Sequence, residues 1–371
     1  MLPLDKLPSP PTVPGLPILR VVTGSHAYGT DTPESDIDIR GIFVPNREYV
    51  LGTRRVEQVE GKPDTVMYAL QKYIALARNA NPNILELLFA PADCYLEVRP
   101  LGARMIESRN LFLSRKARFT YSGYAYSQLK RIETHRRWLL HPPPCAPCRS
   151  DYGLPEGEGL IGREQLGAFF VVLAHLLRDI ADTMPDMDDL YHAVTEIIRS
   201  ESFPGWEGVI QSRGVPVEAL PLVQKLTGAS DNFIQTLQRE QAYYRAVDEW
   251  KKYQNWLRTR NPARAVLEAK YGFDVKHASH LVRLMIAGET LMRTGNLVVR
   301  PDNADDLRRI RQGIWLDGSP ITYEAVVAFA KEAEDRMQTL YASPDCPLPK
   351  APDAPTMDLL CMTIFKEAWG A

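Results

Sequence analysis

From residue 35 to residue 44 the chain reads Ser-Asp-Ile-Asp-Ile-Arg-Gly-Ile-Phe-Val, polar and apolar in alternation, and stops at Pro45. A period of two predicts a half-buried strand. Upstream, the β-branched run at 18–22 ends at Thr23-Gly24-Ser25 and predicts another strand, and residues 53–68 hold a third. Helical spacing follows around 68–79 and 83–89. Beyond residue 100 the helical period dominates. Leu166, Phe169, Phe170, Leu173, Leu176 and Leu177 recur on one face, as do Leu281, Leu284, Met285, Gly288, Leu291 and Met292. Strand signals there are few, with Leu297-Val298-Val299 the best. The pattern predicts an α+β chain: a small mixed sheet with helices over 1–98, then a larger, mostly α-helical domain over 99–371.

Composition narrows the class. The chain has 371 residues, 45% hydrophobic and 24% charged, which excludes disorder along its whole length. Lys and Arg number 44 against 46 Asp and Glu, a formal net charge of −2, so neither a wholly basic coat nor a polyacidic tail fits. No apolar run is long enough to span a membrane. The first twenty residues carry an acid and six prolines, and lack the basic head and apolar run of a secretory signal. Five cysteines (94, 145, 148, 346 and 361), odd and sparse, favour free thiols in a reducing, cytoplasmic setting with no disulfide-linked partner. Prolines cluster at 3–17, at 142–147 and at 344–355, as an extended lead-in, a stiff connector and a tail before a terminal helix.

The stretch richest in chemistry runs from Gly24 to Gly41. Two residues apart on a strand, Asp36 and Asp38 project to one face, where their charges repel unless a cation intervenes. Hard oxygen ligands suit magnesium, which also takes phosphate oxygens as ligands. Ile37 and Ile39 face the other way and anchor the strand. Gly24-Ser25 ends the preceding strand, where glycine allows close backbone approach and serine offers a hydroxyl and an amide to phosphate. Together these pieces point to a nucleoside triphosphate held between a turn and a metal pair, in phosphoryl or nucleotidyl transfer. Taken singly, a D-x-D is common on solvent-facing strands and a G-S is nearly without information.

The string Gly24-Ser25-His26-Ala27-Tyr28-Gly29-Thr30-Asp31 through Ser35-Asp36-Ile37-Asp38-Ile39-Arg40-Gly41-Ile42 resembles the RNA-repair-pathway family of DNA-polymerase-beta-type nucleotidyltransferases. Asn81-Pro82-Asn83 with Glu86 and Leu88, then Tyr271 to Leu284, then Ile310-Arg311-Gln312-Gly313 continue the resemblance, and residues 180–265 are the least familiar. It implies a nucleotidyltransferase core, magnesium dependence (manganese as an alternative) and an NTP donor, with ATP the first candidate. It also implies a third carboxylate on a neighbouring strand. Asp64 is the matching candidate, with Glu57 and Glu60 as competitors. Its role would be to bind the catalytic metal and take the acceptor's proton. The expected reaction moves an NMP to an acceptor hydroxyl, with an RNA 3′ end as the leading acceptor. A small-molecule or protein acceptor, or a non-catalytic nucleotide-binding module, are the other readings.

Several residues are candidates near that chemistry. Arg40 shares the aspartate face and either contacts the triphosphate or organises the acidic pair. His26 lies beside the phosphates or simply in a loop. Tyr28 stacks on a base or, preferably, fills the core. Asp31 and Glu34 read as turn residues. Lys276, at the start of a helix where a cation is disfavoured, is a candidate for the triphosphate, and Arg283, two turns on, shares its face. Asn81, Asn83 and Glu86 read as turn and cap. Residues 115–137 carry a basic excess interleaved with Phe119, Tyr121, Tyr124 and Tyr126. They suit an RNA acceptor, or a helix with core aromatics and solvated charges. Cys145 and Cys148 have zinc-ligand spacing, yet read better as stray connector thiols.

Overall fold

The structure, a computed structural model, describes residues 7, 10–33, 35–62, 64–181, 194–195, 206, 209 and 214–370. About a third of the unfamiliar stretch at 180–265, and Glu34, therefore lie outside the described residues. The chain divides into two compact units, one of residues 1–139 with 263–371 and one of residues 140–262. The boundary expected at residue 98 falls inside the first unit, because the chain returns after residue 262 to complete the core against the sheet.

That sheet has five strands: β1 (Gly15–Thr23), β2 (Asp38–Pro45), β3 (Gln58–Gly61), β4 (Thr65–Ala69) and β5 (Tyr95–Val98), in the order β3-β4-β2-β1-β5. β1 runs antiparallel to β2 with Thr23 opposite Asp38, and β2 runs parallel to β4 with Ile39 opposite Thr65. The strand expected over 53–68 is two strands, β3 and β4, paired as a hairpin with Gly61 opposite Thr65. Lys62 and Asp64, both in turn conformation, break the run. Ile42 and Val44 enter the main core, while Phe43 packs with Met67 and Ala69 on the other face. Both faces of β2 are thus buried along its length, and only its first residues remain open.

Helices α1 (Gly24–Tyr28), α2 (Leu70–Arg78), α3 (Pro82–Leu88), α4 (Pro100–Glu107) and α5 (Ala117–Leu140) intervene or follow. The second unit holds α6 (Arg163–Ala181), α7 (Leu220–Thr227) and α8 (Asp231–Thr259). Then come α9 (Pro262–Tyr271), α10 (Val275–Thr294), α11 (Ala304–Arg311), α12 (Tyr323–Ala342) and α13 (Ala354–Ala368). All six apolar positions read for α10 are buried, and they share one core with β1, β2 and the aromatics Tyr73, Phe112 and Tyr121. On α6, Leu166, Phe169, Phe170, Leu173 and Leu177 seed the second unit's own core. That unit is also pinned by Arg149, which donates to both oxygens of Glu240 at 3.1 and 2.6 Å with both side chains buried.

The run Leu297-Val298-Val299 is not a strand. It follows the Gly295 cap of α10, and Leu297 and Val299 are buried by their side chains without backbone pairing. All five cysteines are free, with Cys145 and Cys148 exposed. Among the described residues no helix is long and apolar enough to cross a membrane.

Candidate active site

The antiparallel pairing of β1 and β2 puts the end of one beside the start of the other. Thr23 pairs with Asp38, and its hydroxyl lies 3.4 Å from the Asp38 carbonyl. The next residue, Gly24, has φ +65°, in the left-handed region, and opens α1. A Cβ there would stand 2.2 Å from Asp38 Oδ2, so only glycine lets the turn approach the carboxylate this closely. The G-S turn and the D-x-D strand are therefore in contact.

β2 begins at Asp38, and Asp36 lies in the segment just before it. Ile37 packs on the core and Ile39 is fully buried, while Asp36 is exposed and Asp38 half-buried. Asp64 precedes β4, adopts φ +37°, and accepts a 3.0 Å hydrogen bond through its carbonyl from Ile39 N–H. The parallel register thus brings Asp64 to the same end of the sheet as Asp38. Partial burial raises the Asp38 carboxyl above the ordinary aspartate range; Arg40 opposes this, and the Asp64 and Asp36 charges push it further up. Of the competing glutamates, Glu57 pairs with Lys72 at 2.7 Å and Glu60 accepts from Gln58 at 2.8 Å.

The side chains of Asp36, Asp38 and Asp64 have no hydrogen bond or ion pair among the described residues. Nor, among those residues, do three His, Cys, Asp or Glu side chains converge closely enough to hold an ion as they stand. In chemistry the donor set fits a divalent hard cation: carboxylates without hydrogen bonds or ion pairs among the described residues, Asp36 and Asp64 bearing on Asp38, beside a cradle that a Cβ would fill. Magnesium asks for only one or two carboxylates when water and phosphate oxygens complete its shell.

Arg40 donates to Tyr68 Oη at 3.0 Å and is the cation acting most strongly on Asp38. His26 faces Asp31, with Nδ1 3.4 Å from Oδ2, and its Nε2 is buried without a partner. Lys276 lies in the field of both Asp36 and Asp38. Its own backbone N–H is capped by Asp274 Oδ1 at 2.8 Å.

Arg283 departs from its expected place as a nucleotide ligand. Its Nη1 donates to Glu86 Oε1 at 2.7 Å, both side chains are 4% exposed, and its guanidinium lies 3.7 Å from the centroid of the Tyr28 ring. Tyr28 Oη donates in turn to Glu86 Oε2 at 2.7 Å. Burial opposes the Arg283 charge, and Glu86 with Tyr28 and Tyr121 together outweigh it, so the guanidinium's pKa is raised. Glu86, read as a cap, is the hub joining α1, α3 and α10.

Two arginines that sequence reasoning missed also grip the turn. Arg300 donates to the carbonyls of His26 at 3.1 Å and Ala27 at 3.3 Å, and to both oxygens of Asp93. Arg311 donates to the Thr30 carbonyl. For Arg311 the signal available was its place in Ile310-Arg311-Gln312-Gly313; for Arg300 no spacing marks it out.

The basic aromatic stretch at 115–137 is largely used internally. Arg115 donates to the carbonyls of Tyr341, Ser343, Cys346 and Leu348, each at 3.0 Å. Arg118 pairs with Glu334, Arg136 stacks on Tyr323, Tyr121 is buried, and Tyr124 Oη accepts from Asn81. Phe119 and Tyr126 stay exposed.

An uncharacterized 38.9 kDa protein from the nrdC-mobD intergenic region of Enterobacteria phage T4 is 26% identical over 128 residues, covering 31% of this chain and 38% of that protein. Uncharacterized protein YcgL of Bacillus subtilis (strain 168) is 32% identical over 76 residues, 19% of this chain and 29% of YcgL. The chain thus matches well under half the length of either relative. No solved structure matches. Residues 16–140 match the RNA repair pathway DNA polymerase beta family, a family of polymerase-beta-type nucleotidyltransferases, as the motifs from Gly24 to Gly41 indicate.

Proposed function

We propose that the protein is a magnesium-dependent nucleotidyltransferase that moves an NMP from an NTP to an acceptor hydroxyl. The carrying observation is Asp38, in the field of Asp36 and Asp64 and without a hydrogen bond or ion pair among the described residues at its carboxylate, against a glycine turn and within the field of Arg40 and Lys276. In this reading Asp36 and Asp38 hold the metal and Asp64 completes the set. The bound metal would neutralise phosphate charge and orient the oxygens in line. Gly24 and Ser25 present backbone and hydroxyl to phosphate, and Lys276 and Arg40 supply positive charge. The acceptor oxygen attacks the α-phosphorus, its bond to the pyrophosphate oxygen breaks, and Asp64 accepts the hydroxyl proton.

An RNA 3′ end is the acceptor proposed, and the family's RNA-repair description supports it. A small-molecule or protein acceptor is the second reading, favoured by the internal engagement of Arg115, Arg118 and Arg136. Incubation with each α-labelled NTP, magnesium, and RNA, protein or small-molecule pools separates these. Label in RNA alone supports the first reading. Tight NTP binding without pyrophosphate release in any pool would leave only a nucleotide-binding module.

A further inference from the structure

Beyond Ser279 the seam between α10 and α11 opens into a cavity of about 260 Å³. Arg283, Ala287 and Thr290, four and three residues apart on one face of α10, form one wall. Val298, Pro301 and Leu307 form the other, so the lining is mainly apolar. Val298 and Asp302 are exposed and mark its open side. Ser279 Oγ donates to the Leu307 carbonyl at 2.9 Å, a buried bond that closes the seam between the cavity and Lys276. The cavity therefore stands apart from the groups assigned to the nucleotide.

Arg283 gives this cavity its polar chemistry. Its Nη1 is used on Glu86 Oε1 at 2.7 Å, and one face of the guanidinium lies on Tyr28. Nε and Nη2 are buried with no hydrogen-bond partner among the described residues. A sealed N–H without an acceptor is costly, because it has lost water without replacement. The charge of Arg283, by contrast, is already met by buried Glu86. What the site lacks is an acceptor oxygen and not a negative charge. A carboxylate there would add a second desolvated anion beside Glu86, and Asp302 would repel it. An ammonium ion would bring no acceptor to Arg283.

We propose that this cavity is a ligand site in its own right, for a flat, uncharged aromatic amide whose carbonyl oxygen accepts from Arg283 and whose ring packs on Ala287 and Leu307. The size agrees: an apolar cavity of about 150 Å³ takes up benzene, so about 260 Å³ holds a ring with an amide attached. The amide N–H groups suit Asp302, and the apolar wall suits the ring. The site is independent of the nucleotidyltransferase reading, and its test contains no nucleotide.

Benzamide, benzoate, benzylamine and toluene, similar in size, are titrated into the methyl-labelled full chain while nuclear magnetic resonance follows the methyl groups of Ala287 and Val298. Benzamide should shift both saturably, and the other three should each bind about tenfold more weakly or worse. Thr290→Phe, which fills the cavity, should abolish benzamide binding. Glu86→Leu with Arg283→Met removes the idle donors and their counter-ion together, and should bring benzamide to within about twofold of toluene. Thermal denaturation checks that each variant is folded, and the double variant carries the test where Thr290→Phe is not. Benzamide that leaves both methyl groups unmoved, benzoate or benzylamine that binds as tightly, or binding retained in folded Thr290→Phe overturns the proposal. So does a folded double variant that still prefers benzamide to toluene about tenfold.

Discussion

Arg283 covers the face of Tyr28, its guanidinium carbon 3.7 Å from the ring centroid, and both side chains close on the two oxygens of Glu86. Through this contact α10, which begins at Val275, is fastened to the short helix α1, which opens at Gly24. The spacing between these two helices is therefore set inside the core. Glu86→Ala leaves a buried guanidinium unpaired and is expected to cost about 3–5 kcal/mol in urea denaturation. The double replacement Glu86→Leu with Arg283→Met should recover most of that, and Tyr28→Phe alone should cost about 1 kcal/mol.

Asp38 carries a penalty in the metal-free protein. Its folded-state pKa stands above the ordinary 3.8, so the folded chain holds the proton more tightly than the unfolded chain. Stability then falls as pH rises from 3.8 through the raised value, and the penalty is complete above it. Asp38→Asn should melt higher than the wild type at neutral pH without divalent ions. Magnesium should raise the wild-type midpoint but not that of the variant. Transfer should drop about a hundredfold or more.

Gly24→Ala would put a methyl 2.2 Å from Asp38 Oδ2 at a φ of +65°. The strain alone is worth about 1–2 kcal/mol. Calorimetric titration should show Mg·ATP affinity lost in a protein whose melting point falls only by a few degrees.

His277 is pushed down to about 4 by burial, with Arg264, Arg131 and His135 adding and Asp274 opposing. Between 6.5, the ordinary value, and about 4 the unfolded chain takes a proton that the folded chain refuses. Stability is therefore complete above that window and is lost as pH falls through it. His277→Gln should flatten the melting-point profile there, leaving the slope that buried His280 contributes in the same sense.

Arg115 holds four carbonyls of the segment before α13, so Arg115→Ala should act on stability first. The expected cost is about 2 kcal/mol or more, with faster proteolysis near residues 341–348. Loss of RNA binding at an unchanged melting point would contradict this assignment.

The helical faces of α6 and α10 were legible because each records a local period and one face meets a core; the alternation at 35–44 marked a strand but not its burial, since Gly41 to Pro45 are buried on both faces. The contact between Gly24 and Asp38 was nearly legible, since two antiparallel strands in sequence put those ends together. What the chain by itself could not reveal was which cations meet which anions. Arg283 and Lys276 share a helix at sensible spacing, yet one is sealed against Glu86 and Tyr28 while the other keeps an unpaired ammonium near Asp36. Arg300 and Arg311 lie far along the chain from the turn they grip. Such pairings depend on long-range packing, which brings residues together without leaving any period, and only the folded core decided them.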